Sequence, residues 1–228
     1  MVLVVLALAA AAAGWLALRG SLARLDGSVR LAGLEAGVDV ERDAWGVVTV
    51  RAASRLDASR ALGFIHAQER FFQMDLLRRR GAGELAALLG QGLVGHDVEV
   101  RRHGLRRAAR ASLESLPRQH REVLEAYTAG VNAGLASLRV RPPEYLLLRQ
   151  SPDPWRAEDS LLVGYAMFFT LQDSEGREDR EAGWIRRALP GSVAAWLRSE
   201  GTGWDAGLDG SEVPVPAFPG PAELDLRD

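Results

Sequence analysis

Apolar and polar residues alternate in two short stretches of the chain, at 38–42 and 48–51. A period of two is typical of strands that bury one face. The residues Asp43 to Gly46 between them favour a turn, because glycine adopts positive φ without a steric penalty. Together these patterns predict an antiparallel hairpin with Trp45 at its tip.

The pattern then changes to helical spacing. From Ser54 to about Arg80, apolar residues recur every three or four positions on a wide face, which predicts a long helix buried between two layers. Ser54 and Asp57 fit a capping box, in which both side chains accept hydrogen bonds from free amides at the helix start. Arg78 to Arg80 are predicted to lie in the last turn, at the negative end of the helix dipole, and Gly81 to close the helix.

Weaker periodicities predict further helices and a terminal linker. The predicted elements are a short helix over 84–89 closed by Gly90, a helix that starts at Pro117 with a seam of Leu124, Tyr127, Val131 and Leu135, a helix from about Ala157 to Leu171, and a helix over 180–189. Residues 201–228 are rich in glycine and proline and predict a linker. The chain is therefore predicted to be α+β and predominantly helical, with its folded body over 29–200.

The first eighteen residues contain no charged side chain. As a helix they would rise roughly 27 Å, against about 30 Å for the core of a bilayer. Two interpretations stay open, a cleaved signal peptide and a retained membrane anchor, while a core helix is less favoured because no second, polar face is present. Arginines at 19, 24 and 30 follow the run and none precedes it. That arrangement favours a cytoplasmic body, so an exported protein is predicted to start upstream of Met1.

Composition narrows the classes of function. Hydrophobic residues make up 47% of the chain and charged residues 25%, as in a folded protein, and the net charge of −2 gives no indication of nucleic-acid binding. The absence of cysteine excludes thiol catalysis, thiolate zinc sites and disulfides.

Two candidate catalytic residues have structural interpretations. The four histidines of the chain are not spaced as metal ligands, and His66 is predicted to be a hydrogen-bonded structural histidine on the long helix. Ser211 follows Gly210, but the strand and helix that flank a nucleophile elbow are not predicted around it. We therefore interpret Ser211 as a linker serine.

Two other stretches each keep two interpretations. The clustered carboxylates are Asp173, Glu175, Glu178, Asp179 and Glu181, and they form either a solvated loop and helix start or oxygen ligands for a hard cation such as Ca²⁺. The apolar run 165–169 is predicted to be core at helical positions, and the wall of a substrate pocket is the alternative.

Three blocks of sequence occur in a characteristic order. The first comprises Arg42-Asp43-x-Trp45-Gly46-Val47, Ala61-Leu62-Gly63-Phe64, Ala67-Gln68-Glu69-Arg70, Phe72-Gln73-Met74-Asp75, Arg78-Arg79, Gly83-Glu84-Leu85 and Leu88-Leu89-Gly90; the second is Pro152-x-Pro154-Trp155-x-x-Glu158-Asp159-Ser160; the third is Trp204-Asp205-Ala206-x-Leu208-Asp209-Gly210. In order and spacing they resemble the α-chain of the penicillin acylase family.

The resemblance implies an N-terminal-nucleophile hydrolase with an αββα sandwich, exported to the periplasm. In that family a precursor cuts itself into α and β chains, and the new N-terminal serine of the β chain attacks a linear amide, with its own α-amino group as base. No cofactor is needed for catalysis. The implied partners are the β chain of the same precursor and a small acyl-amide substrate.

The resemblance assigns only supporting residues to this chain. No Ser-Asn-Asn follows a glycine here, so the nucleophile is expected beyond Asp228 and the chain alone is predicted to be inactive. Met167 and Leu171 correspond to pocket residues of the family, and Glu178 to the ligand of a structural Ca²⁺, with Glu175 as the alternative. Two other functions remain open: an acyl-homoserine-lactone acylase of the same fold, and a membrane-anchored helical binding module without catalysis.

Overall fold

The computed structural model describes residues 1–172, 176–198, 201–212 and 215–225. The chain divides into two compact units, Met1–Thr170 and Leu171–Asp228. Most described residues are helical, and the sheet among them has two strands, so the predominantly helical α+β prediction is confirmed.

The described residues form ten α-helices, one 3₁₀ turn and two strands. They are α1 (Val2–Gly20), β1 (Asp39–Arg42), β2 (Val48–Arg51), α2 (Arg55–Ala82), α3 (Leu85–Leu89), a 3₁₀ turn (Gln91–Leu93), α4 (Val94–Arg102), α5 (Leu105–Ser115), α6 (Arg118–Ser137), α7 (Pro143–Leu147), α8 (Ala157–Leu171), α9 (Arg177–Ala188) and α10 (Gly191–Leu197).

The predicted hairpin is confirmed. Strands β1 and β2 pair antiparallel with Asp39 opposite Arg51 and Arg42 opposite Val48. Gly46 has a φ of 79°, the positive value that the turn requires, and Trp45 is fully exposed at the tip.

At the beginning of α2, Ser54 has the predicted capping role and Asp57 does not. The Ser54 hydroxyl accepts a hydrogen bond from the Asp57 N–H at 3.0 Å. The Asp57 carboxylate was predicted to cap α2, but it does not. It accepts hydrogen bonds from the N–H groups of Glu35 and Ala36 and so ties the preceding loop to the helix. These backbone hydrogen bonds lower the pKa of Asp57, and the bond from Glu35 has the larger effect.

The end of α2 also differs from the prediction. The helix continues through Gly81 to Ala82, and Gly83, which has a φ of 67°, is its C-cap. Gly81 has a packing role instead, since a Cβ there would lie 2.7 Å from the carbonyl oxygen of Leu162 in α8. At Arg70 the backbone leaves helical geometry (φ −148°, ψ 28°), and this residue marks a kink.

The core lies where α2 crosses α6. Gly63 on α2 and both Gly130 and Gly134 on α6 let the two backbones meet, because a Cβ at any of them would overlap a backbone carbonyl of the other helix. Around this crossing is a cluster of Ala67, Phe71, Met74, Leu88, Val131, Tyr145 and Trp155, with Tyr127 and Leu135 against it. The predicted seam of α6 is confirmed at Tyr127, Val131 and Leu135.

Two helices, α4 and α5, lie in a stretch for which the sequence predicted no element. Helix α5 is amphipathic and packs Leu105 and Ala109 against Ala82 and Leu162. The signal in the sequence was weak, because both helices are short and Gly104 interrupts the periodicity between them. Their buried residues are Asp97 in α4 and Ala109 in α5, and neither is a large apolar residue.

The second unit contains α9, α10 and the chain that follows. Ala182, Val193 and Ala194 are buried, and the rings of Trp196 and Phe218 pack edge to face with their centroids 4.9 Å apart. Beyond α10 the described residues form turns and a single bridge between Ala206 and Glu212.

Candidate functional site

Asp75, on α2, is the centre of a buried polar network. Its side chain has no exposure to solvent. One carboxylate oxygen accepts bonds from Nε of Arg78 at 2.7 Å and Nε of Arg79 at 2.9 Å, and the other accepts the Tyr145 hydroxyl at 2.6 Å. Burial and the bond to Asp75 raise the pKa of Tyr145, so the phenol stays a donor.

Arg78 joins α2 to the segment that leads into α8. Its Nη1 donates to Oδ2 of Asp159 and to the carbonyl of Pro154, each at 2.7 Å, and its Nη2 donates to the carbonyl of Asp153 at 2.8 Å. The guanidinium also lies 5.1 Å from the centre of the Trp155 ring. Arg79 and Arg80 lie in the last turn of α2, as predicted. The sequence did not predict that the side chains of Arg78 and Arg79 are buried and bonded to carboxylates.

Arg106 extends the network to α5. Its Nη1 donates to Oδ1 of Asp159 at 3.0 Å, while Nε and Nη2 form a bidentate pair with Glu84, both bonds at 2.8 Å. Beside it, Glu158 accepts from Arg110 at 3.3 Å. Each buried carboxylate of the network therefore pairs with arginine, so the network is suited to holding segments together and offers no free base to a substrate.

Asn132 holds the same segment from α6. Its side-chain amide accepts the Trp155 N–H at 2.8 Å and donates to the Trp155 carbonyl at 2.9 Å, as a neighbouring strand would. The indole N–H of Trp155 donates to Ser160 at 3.1 Å. The beginning of α8 is thus fixed by α2, α5 and α6 together.

One local pattern in the sequence indicates part of this network. Asp75, Arg78 and Arg79 are spaced i, i+3 and i+4 on a helix whose apolar face is too wide to leave them all in solvent. Asp159, which also accepts from Arg78, is 81 residues away from it and could not be paired with it from spacing alone.

The outer end of α8 has the opposite character. Met167 is 55% exposed, Phe168 57% and Leu171 75%, although the sequence predicted core positions for the run 165–169. The prediction is wrong for Met167 and Phe168 because the inward face of α8 comprises Leu162 and Ala166, with Tyr165 beside them. Met167 and Leu171, predicted to contact substrate, are one helical turn apart.

His66 is confirmed as a structural histidine. Its Nδ1 lies 3.0 Å from the Tyr127 hydroxyl and the rings meet edge to face. Burial lowers the pKa of His66, so the neutral imidazole is favoured in the folded chain.

The calcium prediction remains untested by the structure. Glu178 is the second residue of α9, whereas Asp173 and Glu175 lie outside the described residues. Within the described ranges, no three His, Cys, Asp or Glu side chains come together as cation ligands.

The N-terminal prediction also keeps its alternatives. Helix α1 has no buried residue, and it is apolar and long enough to cross a membrane, a property shared by signal sequences and anchors. At the last residue of α1, the Gly20 carbonyl accepts a hydrogen bond from the Val140 N–H at 3.1 Å.

Known protein families and individual proteins are similar to this chain in sequence. The model of the penicillin amidase family matches residues 37–211. The chain is 45% identical over 147 residues, or 64% of its length, to penicillin acylase 2 proenzyme of Pseudomonas sp. strain SE83. It is 34% identical over 154 residues, or 66% of its length, to acyl-homoserine lactone acylase QuiP of Pseudomonas aeruginosa. These alignments cover 19% and 18% of the two relatives, so the chain spans about a fifth of their length.

A solved structure has a similar backbone. The thermostable penicillin G acylase from Alcaligenes faecalis superposes with a TM-score of 0.57 and 27% sequence identity. The match covers 79% of this chain and 98% of the solved chain.

Proposed function

Because the chain belongs to the penicillin amidase family, we propose that it is the α-chain part of an amidohydrolase that cleaves linear amides. Its curated relatives are acylases, and the chain spans about a fifth of their length. The proposed division of roles gives catalysis to an N-terminal serine on a β chain, encoded beyond Asp228. The folded body described here then supplies scaffold and part of the acyl-binding wall within an αββα sandwich.

The observation that carries this proposal is the contrast along α8. The base of the helix is held through the buried Asp159 by Arg78 and Arg106, while its outer end presents the apolar side chains of Met167, Phe168 and Leu171 to solvent. Exposed apolar side chains on a rigid base suit contact with an acyl chain or with the partner chain that encloses it. We assign Met167 and Leu171 to the acyl group.

The test is a comparison of amide hydrolysis by two preparations. The 228-residue chain alone is expected to be inactive, and coexpression with the downstream coding region is expected to give hydrolysis. Replacement of the serine that follows the cleavage point by alanine should abolish both cleavage and hydrolysis. Hydrolysis by the isolated chain would contradict the division of roles.

A second candidate function rests on the relatives themselves. Several of them are acyl-homoserine lactone acylases, matched over 66–83% of this chain. Such an enzyme would prefer long linear acyl chains attached to homoserine lactone. Assay of the complete precursor with acyl chains of graded length separates the two substrates, and a non-catalytic binding module would hydrolyse none of them.

Two further parts of the proposal concern Ca²⁺ and location. We assign Glu178 as one carboxylate ligand of a structural Ca²⁺, and α1 as an anchor that keeps the body at the periplasmic face of the inner membrane. Chelation is expected to lower the thermal stability of the complete precursor, but not that of its Glu178→Gln variant. Amino-terminal sequencing of the mature protein tests the anchor, since signal cleavage would remove α1.

A further inference from the structure

A groove of about 960 Å³ lies between the last turns of α1 and the chain that follows α6. Its two sides are in close contact at one point, because a Cβ on Gly20 would lie only 2.6 Å from Cγ2 of Val140. The hydrogen bond from Val140 to Gly20 closes the groove at that point. The groove is therefore built by two segments that are 120 residues apart.

The groove combines apolar walls with cations. Its apolar lining comprises Trp15, Leu16, Leu22, Val29, Phe64, Leu138 and Val140. Arg19, Arg24 and Arg139 also line it, and none of the three forms an ion pair with any described residue. Asp26 is the single acidic residue between positions 19 and 30.

The three guanidinium groups have different local contacts. The Arg19 side chain stacks on Trp15 at 5.0 Å, and Nε of Arg24 donates to the Asp26 carbonyl at 2.9 Å. The terminal nitrogens of Arg24 keep free donors, and Arg139 has no partner among the described residues. Guanidinium donors without carboxylates beside them suit a phosphate group.

The groove lies at the end of a helix of bilayer length. Nineteen residues rise about 28 Å, close to the thickness of a hydrocarbon core. Trp15 and Arg19 occupy the last turns, where tryptophan and arginine favour the level of the lipid head groups. A phosphodiester in the groove would then belong to the same leaflet that surrounds this end of α1.

We propose that this groove binds the head group of an anionic phospholipid, with its phosphate at Arg24 and Arg139 and the start of an acyl chain on the apolar wall. The inference rests on the part of the proposed function in which α1 is a retained anchor. It adds that Arg139, contributed by the body, fixes the orientation of the body on the membrane.

The experiment uses the full chain, with α1, in neutral detergent micelles. Native mass spectrometry counts bound lipid as phosphatidylglycerol or phosphatidylcholine is titrated. Phosphatidylglycerol is expected to bind saturably and phosphatidylcholine at least tenfold more weakly. The double variant Arg24→Ala/Arg139→Ala should weaken phosphatidylglycerol binding roughly tenfold or more, because each arginine near an anionic surface contributes to attraction. The corresponding double lysine variant should retain most of the affinity.

The matched control removes two arginines elsewhere. Arg118 begins α6 and is therefore about 30 Å from the groove at the other end of that helix, and Arg107 lies on α5. Arg107→Ala/Arg118→Ala should bind phosphatidylglycerol within twofold of the unmodified chain. Equal binding of the two lipids, an equal loss in the control, or displacement of lipid by millimolar inorganic phosphate would overturn the lipid site.

The lipid titration requires no substrate and no partner chain, so its failure leaves the amidase proposal intact. Conversely, if the coexpressed precursor hydrolyses no amide, the lipid preference of the chain is still measured. Loss of α1 from the mature protein would contradict the anchor on which the lipid site depends.

Discussion

The two ends of α8 are built in opposite ways. At its beginning, Asp159 is buried and bonded to Arg78 and Arg106, and Trp155 is held by Asn132. At its end, Met167 and Leu171 are more than half exposed and apolar. The buried end coincides with sequence blocks by which the family is recognised, whereas the exposed end carries the proposed contacts to substrate. Under the proposed function, the residues that mark the family and the residues that would select the substrate lie at opposite ends of one helix.

The largest effect is expected from removing the central carboxylate. Asp75→Ala leaves Arg78, Arg79 and the Tyr145 hydroxyl without their shared acceptor in a buried site. The free energy of unfolding should fall by about 3–5 kcal/mol, as measured by urea denaturation followed by circular dichroism. Asp153→Ala, which removes a mostly exposed carboxylate bonded to Arg79, is the control and should cost at most about 1 kcal/mol.

Truncating apolar side chains tests the same contrast within α8. Leu162→Ala at the buried end should lower the free energy of unfolding by about 2–5 kcal/mol, since the side chain has no exposure. Met167→Ala at the exposed end should change it by at most about 0.5 kcal/mol. Similar losses in both variants would mean that the outer end of α8 is packed as tightly as its base.

Gly81 and Gly164 allow a matched comparison in which a methyl group is added to each by substitution with alanine. A Cβ at Gly81 would lie 2.7 Å from the Leu162 carbonyl, whereas one at Gly164 would have no neighbour within 4 Å. Gly81→Ala should destabilise by about 1–3 kcal/mol, because α2 and α8 must separate. Gly164→Ala should stabilise by roughly 0.5–1 kcal/mol through helix propensity. Thermal unfolding measures the stability of both variants. A Gly81→Ala variant as stable as the unmodified chain would contradict the close approach of α2 and α8.

The smallest expected effect is a pH dependence of the free energy of unfolding that arises from His66 on α2. Burial lowers the pKa of His66, so its contribution to stability is present above the pKa of the unfolded chain and is lost as pH falls through about 6.5 and below. Between mildly alkaline and mildly acidic pH, the unmodified chain should lose more stability than His66→Gln. Parallel stability curves for the two proteins would show that His66 titrates alike in the folded and unfolded chains.

Elements with a strong local signal could be predicted from the sequence. The hairpin follows from its alternation and Gly46, and α2 and α6 follow from their apolar periodicity. The capping role of Asp57 was predicted wrongly, and the buried ion pairs of Arg78 were not predicted. Both side chains bond to segments distant in sequence, and local spacing carries no information about such partners. The position of Gly81 was misread for the same reason, because its use depends on α8.

Part of the candidate site could likewise be predicted from the sequence, and part could not. Family resemblance indicates Met167 and Leu171, and their exposure on a fixed helix supports that proposal. Glu178 remains a prediction, since Asp173 and Glu175 lie outside the described residues. The buried network around Asp75 and Asp159 was not predicted, although Arg78 and Arg79 were placed in the last turn of α2. Charged residues are seldom buried unless paired, and here the pairing is tertiary.

The central claim is that the exposed end of α8 selects the acyl group while its buried base keeps that end in place. The most direct test is the ratio of kcat/KM for a short and a long acyl amide, measured on the complete precursor carrying Met167→Ala/Leu171→Ala. Leu147→Ala, which truncates an exposed leucine on α7, is the control. Met167→Ala/Leu171→Ala is expected to change this ratio and to leave the free energy of unfolding unchanged. Leu147→Ala is expected to change neither quantity. An unchanged ratio in the α8 variant, with full activity, would contradict the central claim.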